Sequence, residues 1–132
     1  MGQEYRRTTT TVSLINYHFV FCPRYRRKVL VKHIEARFKE LVQELCVAND
    51  WLIVTLEVMP DHVHLFLNVL PTDSPADVMA KLKGATSRDL RKEFPHLTHL
   101  PSLWTRSYFV STAGNVSSET IKRYVEEQKK RG

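Results

Sequence analysis

Two runs of alternating apolar and polar residues on either side of a turn constrain the fold of this chain more than any other feature. In residues 51–59 the apolar members of one predicted face are Leu52, Val54, Leu56 and Val58. In residues 62–70 they are Val63, Leu65, Leu67 and Val69. Alternation of this kind is typical of half-buried strands, and Pro60-Asp61 between the runs favours a turn. We therefore expect an antiparallel hairpin with one face in the core.

Strand and helix signals flank this hairpin on both sides. Residues 12–22 are rich in β-branched and aromatic types, which predicts a strand. An amphipathic helix ending near Asn49 and Asp50 should follow, with these apolar residues at helical spacing: Ile34, Phe38, Leu41, Val42 and Leu45. After the hairpin, Ser74 and Pro75 are typical of a helix start. The buried stripe of that second helix is predicted to be Val78, Met79, Leu82 and Leu90, and Phe94-Pro95 should end it.

The last third of the chain predicts one more strand and one more helix. Residues 103–112 are typical of a strand that Gly114 would end, and a helix is expected over about 117–131. The resulting order, β-α-β-β-α-β with a C-terminal helix, is that of an α+β, ferredoxin-like fold. We therefore expect an antiparallel sheet with both crossover helices on one face, and a single domain spanning residues 1–132.

The charge balance favours nucleic acid as a partner. The 20 Lys and Arg residues exceed the 14 Asp and Glu residues, which gives a net charge of +6. Basic residues cluster in segments 24–32 and 81–92, a pattern typical of nucleic-acid-binding proteins. The candidate phosphate contacts are Arg24, Arg26, Arg27, Lys28, Lys83 and Arg88. A solvated basic surface without a ligand is the alternative.

The remaining composition narrows the class of protein. The two cysteines do not form a C-x-x-C pair, which argues against a disulfide scaffold or a four-cysteine zinc site and fits a reducing cytoplasm. Apolar runs are too short for a membrane span, so no membrane partner is expected. The first residues lack the apolar segment of a secretory signal.

His62 and His64 are candidate ligands of a metal ion. Alternate residues of a strand face the same way, so both imidazoles should stand on the face opposite the apolar stripe. Two imidazoles at this spacing can share one metal ion. Asp61 is either a turn residue or a hydrogen-bonding support for a histidine. Two half-exposed polar strand positions without a ligand are the alternative interpretation.

Tyr124 and Gln128 form a second candidate pair on the last helix. Four residues apart, they should lie on one helix face and offer a phenol and an amide oxygen. Ile121 and Val125 belong to the same amphipathic helix, so a core role for Tyr124 is the alternative from these residues alone.

The chain resembles the single-tyrosine HUH transposases of the insertion-sequence 200/605 group. His62-Val63-His64 matches the His-hydrophobic-His motif of that superfamily, and the tyrosine-to-glutamine spacing of the last helix also matches. The segments that carry the resemblance are NYHFVFCPRYRRKVL (16–30), LEVMPDHVHLFLN (56–68), LKGATSR (82–88), LWTRSYFVSTAGNVS (103–117) and IKRYVEEQ (121–128).

The resemblance implies roles for particular residues. His62, His64 and Gln128 would bind a divalent cation, Mg²⁺ or Mn²⁺, and Tyr124 would be the nucleophile that forms a 5′-phosphotyrosine. The substrate would be single-stranded DNA with hairpin ends. The enzyme would be a homodimer with active sites shared between protomers, and Gly114 would suit a hinge before the tyrosine helix.

Three alternatives remain open from the sequence. One is an HUH nickase of the replication-initiator or repeat-palindrome-associated type. Another is an inactive, transposase-derived DNA-binding protein, against which the intact motif residues argue. A histidine-triad nucleotide hydrolase would need further histidines on the same strand, where this chain has Phe66 and Asn68.

Overall fold

A four-stranded antiparallel sheet forms the centre of the computed structural model, which describes residues 3–112 and 117–130. Two short strands, β1 (Arg6–Arg7) and β2 (Val12–Ser13), pair with each other ahead of it. The central strands are β3 (Ile15–Phe21), β4 (Leu52–Met59), β5 (His62–Val69) and β6 (Phe109–Ser111). Their spatial order is β4-β5-β3-β6, and each neighbouring pair is antiparallel.

Helices cover both faces of this sheet. On one face lie α1 (Lys32–Asn49) and α2 (Pro75–Glu93), which bury the apolar stripe of β5 together with Phe19 and Phe21. The opposite face carries α3 (Ser118–Glu127), whose Val125 packs with residues of β3 and the position after it. This arrangement confirms the predicted α+β, ferredoxin-like fold with both crossover helices on one face.

The predicted helix ends agree with the structure at most positions. Ser74 Oγ accepts a hydrogen bond from the Asp77 amide at 3.1 Å, and Ser117 Oγ accepts one from the Thr120 amide at the same distance. Asp50, at φ 58°, ends α1 in the left-handed region. The last helix is shorter than predicted, because a 3₁₀ turn begins at Gln128. Gly114 lies outside the described residues.

No helix among residues 3–112 and 117–130 is long and apolar enough to cross a membrane.

The N-terminal strand is shorter than the sequence predicts. The main strand begins at Ile15, whereas Val12 and Ser13 pair with β1. A threonine turn explains the division, because Thr8 Oγ1 accepts a hydrogen bond from the Thr11 amide at 3.0 Å and its own amide donates to the Thr11 carbonyl at 2.9 Å.

The prediction that Leu52 and Val54 share the apolar face of β4 with Leu56 and Val58 is wrong. Leu52 and Val54 are exposed, and Ile53 takes the half-buried position instead. The pairing with β5 shifts between Ile53 and Thr55, so Val54 is an extra residue in the ladder. A bulge of this kind reverses which side chains face the core on either side of it.

The predicted strand over residues 103–112 is also wrong in extent, because only Phe109–Ser111 form β6. Leu103 and Trp104 are buried in the main core instead. The carbonyls of Thr105 and Ser107 accept hydrogen bonds from the Lys83 ammonium, both at 2.8 Å. These carbonyls are therefore satisfied by a side chain of α2 rather than by a neighbouring strand.

Candidate active site

His62 and His64 lie on the face of β5 that α1 and α2 leave uncovered. Val63 and Leu65 alternate with them and are fully buried in the core on the other face. The two histidines line a cavity of about 450 Å³ between the sheet and α3. The shared face predicted from the His-x-His spacing is therefore present, and the histidine face is the one that α3 covers.

A carboxylate fixes the orientation of the first imidazole. His62 Nδ1 lies 2.9 Å from Asp61 Oδ1, so the ring donates this N–H and leaves Nε2 for a ligand. Asp61 Oδ2 in turn lies 3.0 Å from Arg26 Nε. Metal-ligating histidines commonly donate their second nitrogen to a carboxylate in this way. The arrangement fits the support role considered for Asp61 in the sequence.

The second imidazole has a histidine as its neighbour. His18 Nδ1 on β3 lies 3.1 Å from His64 Nε2, and the His18 ring stacks on Phe66 with centroids 3.9 Å apart. Burial lowers the pKa of His64, and the nearby His18 lowers it further. His64 is therefore neutral at neutral pH, which is the form that binds metals. Its Nδ1 is the nitrogen not engaged by His18.

The rest of the cavity brings a carboxylate and the tyrosine helix together with the histidines. Glu57 on β4 pairs with His64 in register and lines the cavity. From α3 come Ser118, Ile121, Lys122, Val125 and Glu126. Within the part of the chain that the structure describes, no group of three or more His, Cys, Asp or Glu residues is arranged to hold a metal ion.

Tyr124 and Gln128 meet at Ser107, away from the cavity lining. Ser107 Oγ lies 3.0 Å from Tyr124 Oη and donates to Gln128 Oε1 at 2.9 Å. An amide oxygen only accepts, so the single serine proton goes to Gln128 and the phenol donates to Ser107. Gln128 is fully buried. Tyr124 on α3 and Gln128, directly after that helix, point to the same serine, but the structure does not bring their polar groups into the cavity that His62 and His64 line.

Sequence reasoning missed three residues of this region: His18, Glu57 and Ser107. The first two reach the histidines only through the strand register, which places His18 opposite Phe66 and Glu57 opposite His64. A histidine in a predicted strand next to the hairpin was the one signal available for His18. Ser107 carried no signal, because it lies in a segment that does not form the predicted strand.

The predicted DNA contacts divide into residues with internal partners and exposed residues. Arg26 pairs with Asp61 and also places NH1 3.2 Å from Glu126 Oε1, with its side chain only 17% exposed. That hydrogen bond lowers the pKa of Glu126. Lys83 is half-buried, and burial lowers its pKa to about 8.

The exposed members are Arg27, Lys28 and Arg88, of which Arg88 also places Nε 3.1 Å from Asp89 Oδ1. Arg24 is half-buried and donates from NH1 to Ser102 Oγ at 2.9 Å, with its guanidinium 5.4 Å from the centre of the Tyr25 ring. It lines a groove of about 620 Å³ together with Lys83 and Arg106. Arg106 was not singled out in the sequence.

Tyr108, the other tyrosine near this region, belongs to the opposite side of the sheet. Its ring packs edge-on against Phe19 at 6.2 Å between centroids and lies 5.5 Å from the Lys83 ammonium. It lines a small cavity with residues of α2 such as Met79. Tyr108 is therefore on the face away from His62 and His64.

The sequence is similar to known transposases along nearly its whole length. A family model described as "Transposase IS200 like" matches residues 11–128. The ISDra2 transposase TnpA of Deinococcus radiodurans is 32% identical over 128 residues, which cover 95% of this chain and 91% of that protein. The transposase for insertion sequence element IS200 of Salmonella typhimurium is 31% identical over 119 residues, which cover 86% of this chain and 78% of the relative.

Solved structures give the same result. A crystal structure described as that of a candidate transposase from Deinococcus radiodurans R1 has a TM-score of 0.86 and 34% identity, covering 93% of this chain and 97% of its own. A REP-associated tyrosine transposase bound to a REP hairpin has a TM-score of 0.55 and 19% identity, covering 95% of this chain and 69% of its own. The second similarity shows a shared fold.

Proposed function

The chain belongs to the IS200-like transposase family, and from that premise we propose that it cuts and rejoins single-stranded DNA ends of a mobile element through a covalent tyrosine intermediate. The observation that carries this proposal is the cavity between β5 and α3. His62 and His64 line it from one side, and the helix that carries Tyr124 closes it from the other.

Tyr124 is the nucleophile of the proposed reaction. Its Oη attacks the phosphorus of a DNA phosphodiester, the P–O3′ bond breaks as the O–P bond forms, and the phenol proton is lost while the leaving 3′-oxygen gains one. The products are a 5′-phosphotyrosine and a free 3′-hydroxyl. One phosphoester replaces another, so no nucleotide cofactor is consumed, and a second 3′-hydroxyl can reverse the step on a new strand. This exchange suits strand transfer better than hydrolysis.

His62, His64 and Gln128 would hold a divalent cation, Mg²⁺ or Mn²⁺. Support comes from the Asp61 carboxylate on His62 Nδ1 and from the lowered pKa of His64, which both favour ligation by a neutral ring. When bound, such a cation polarises the scissile phosphate, which matters because only about one phenol in a thousand is ionised at neutral pH. Gln128 would complete the ligand set only after its Oε1 leaves Ser107.

We propose a homodimer in which α3 of one protomer completes the histidine site of its partner. The polar groups of Tyr124 and Gln128 lie outside the cavity lined by the histidines of the same chain, which favours sharing between protomers. The substrate would be single-stranded DNA with hairpin ends, in keeping with the REP hairpin bound by a protein of the same fold. Such a reaction on element DNA would take place in the cytoplasm.

Strand transfer on labelled oligonucleotides tests this function. With Mn²⁺ or Mg²⁺, the wild-type protein should cleave a single strand that carries an element-end hairpin and join the 3′ fragment, which Tyr124 holds through its 5′-phosphate, to the 3′-hydroxyl of a second strand. Chelation of the cation should abolish both products. His64→Ala should also abolish them and retain hairpin binding, whereas His33→Ala, at an exposed position of α1, should behave as wild type.

Different outcomes separate the proposed function from its rivals. Undiminished cleavage by His64→Ala would contradict the metal site. Cleavage without rejoining would favour an HUH nickase, and hairpin binding without any cleavage by the wild type would favour an inactive DNA-binding protein.

A further inference from the structure

Arg26 joins the histidine strand to the helix that carries Tyr124. Its Nε lies 3.0 Å from Asp61 Oδ2, and its NH1 lies 3.2 Å from Glu126 Oε1 on α3. We propose that Arg26 is a positioning residue that holds α3 against the histidine face and, through Asp61, fixes the His62 imidazole. The part that concerns metal binding by His62 rests on the proposed function, whereas the docking of α3 does not.

The geometry of the contact requires a guanidinium. Arginine presents several N–H donors in one rigid plane, so two of them reach carboxylates on different elements. A lysine ammonium is a compact charge with all its donors on one nitrogen, whereas Asp61 and Glu126 contact different nitrogens of the guanidinium. The side chains of Arg26 and Asp61 are 17% and 18% exposed, while that of Glu126 is 54% exposed. The contact to Asp61 is therefore the more buried of the two, and the contact to α3 is the more exposed.

The backbone that aims Arg26 inward is unfavourable by itself. Tyr25 and Arg26 both lie in the left-handed region, at φ 57° and 54°, where a residue with a Cβ is strained. Such conformations persist where the surrounding structure holds them, and they cluster at functional sites. Here the Arg26 amide donates to the Pro23 carbonyl at 2.8 Å. An arginine in a basic run, read from sequence as a DNA contact, is thus turned into the protein.

Cys22 offers a direct measure of whether α3 is docked. This thiol is fully buried in a cluster with Val20 and Val125 on the α3 face. Burial raises its pKa to about 12, so the thiol is unreactive while it is covered. Cys46 is buried in the core on the other face of the sheet. Labelling of Cys22 without Cys46 therefore reports the opening of α3, and labelling of both reports unfolding of the domain.

Thiol labelling of the full chain, followed residue by residue with mass spectrometry, tests the docking role. Arg26→Gln should raise the Cys22 labelling rate about tenfold, and Glu126→Gln about threefold, because a half-exposed ion pair contributes little. The rate at Cys46 should stay unchanged in both variants. Arg37→Gln is the matched control, since Arg37 also bridges two carboxylates, Glu93 and Glu44, away from α3.

The second part of the proposal is that Arg26, through Asp61, fixes the His62 imidazole for metal binding. Mn²⁺ binding to the same proteins, measured by electron paramagnetic resonance without DNA, tests this part. Arg26→Gln should weaken Mn²⁺ binding about tenfold, in line with other losses of support for a ligating histidine, and the control Arg37→Gln should leave it unchanged. Arg26→Lys should rescue at most one of the two readouts, since a single nitrogen replaces the two guanidinium nitrogens that contact Asp61 and Glu126.

Three results would overturn the proposal. The first is a wild-type rate of Cys22 labelling in both Arg26→Gln and Glu126→Gln. The second is a parallel rise of the labelling rates at Cys22 and Cys46 in Glu126→Gln. The third is that Arg26→Lys fully restores both the Cys22 labelling rate and Mn²⁺ binding. If the wild-type protein itself binds no Mn²⁺, the proposed metal site fails, and the thiol measurements still decide the docking role.

Discussion

Ser107 is the residue whose contacts bear most directly on Tyr124 of α3 and on Gln128, which follows that helix. One hydroxyl satisfies the amide oxygen of Gln128 and receives the phenol hydrogen of Tyr124. Because Gln128 is fully buried, its oxygen has no access to water while α3 is docked. Ser107 thereby fixes the orientation of both side chains in the structure of the single chain.

Ser107→Ala should lower the free energy of unfolding by about 1–2 kcal/mol, because the buried Gln128 oxygen loses its donor. Denaturant unfolding at neutral pH measures the change. Ser87→Ala, in the middle of α2, is the control and should stay within about 0.5 kcal/mol of wild type. Equal stability of the two variants would show that the Ser107 hydrogen bonds contribute nothing.

The site was predictable from sequence wherever its geometry is local. The shared face of His62 and His64 follows from strand alternation, and the common helix face of Tyr124 and Gln128 follows from their spacing. The contacts of His18 and Ser107 depend on strand register and on the path of a loop, which no local pattern encodes. The spacing of Tyr124 and Gln128 also did not reveal that both bind Ser107.

At the scale of elements, the sequence predicts the order of the strands and helices and the sheet face on which the two crossover helices lie. It does not predict two departures from regular strand pairing. The alternation in β4 predicts one continuous apolar face, and a bulge at Val54 breaks it. Residues 103–108 have the composition of a strand, yet Trp104 is held in the core by its indole N–H, which donates to Thr86 Oγ1 at 3.1 Å. The second departure arises from tertiary packing.

The segment between β3 and α1 contains basic residues of two kinds, one paired inside the protein and others exposed to solvent. Arg26 is paired inside the protein, whereas Arg27 and Lys28 are exposed. The double variant Arg27→Gln/Lys28→Gln should lower the salt slope of single-strand binding by about 1.4, since each phosphate contact contributes about 0.7.

Fluorescence titrations with an oligonucleotide between low and physiological salt measure that slope. Arg7→Gln/Lys39→Gln removes the same charge from β1 and α1, outside the basic segments 24–32 and 81–92, and should leave the slope at its wild-type value. An equal fall in both double variants would assign the effect to net charge rather than to contacts at Arg27 and Lys28.

For the whole molecule, the sheet divides a structural face from a candidate catalytic face. Helices α1 and α2 bury the main core on the first face, and α3 rests on the second through the smaller cluster of Val20, Cys22 and Val125. A helix held by few apolar contacts is the element best suited to exchange between protomers, because local stability follows the buried apolar contacts.

Mixed dimers test that exchange. Tyr124→Phe and His64→Ala chains, each inactive alone, should regain cleavage after subunit exchange, because one interface pairs intact histidines with an intact tyrosine. Heterodimers that form without regaining activity would place the tyrosine and the histidines of one working site in the same chain.

The most direct test of the account is whether Tyr124 becomes covalently attached to DNA. Incubation with a hairpin-bearing single strand and Mn²⁺, followed by denaturing electrophoresis and peptide mapping, should give a protein–DNA adduct at Tyr124. Tyr124→Phe should fold and bind the hairpin but form no adduct, whereas Tyr108→Phe, on the opposite face of the sheet, should form it as the wild type does. An adduct that persists in Tyr124→Phe would contradict the account, because another residue would then be the nucleophile.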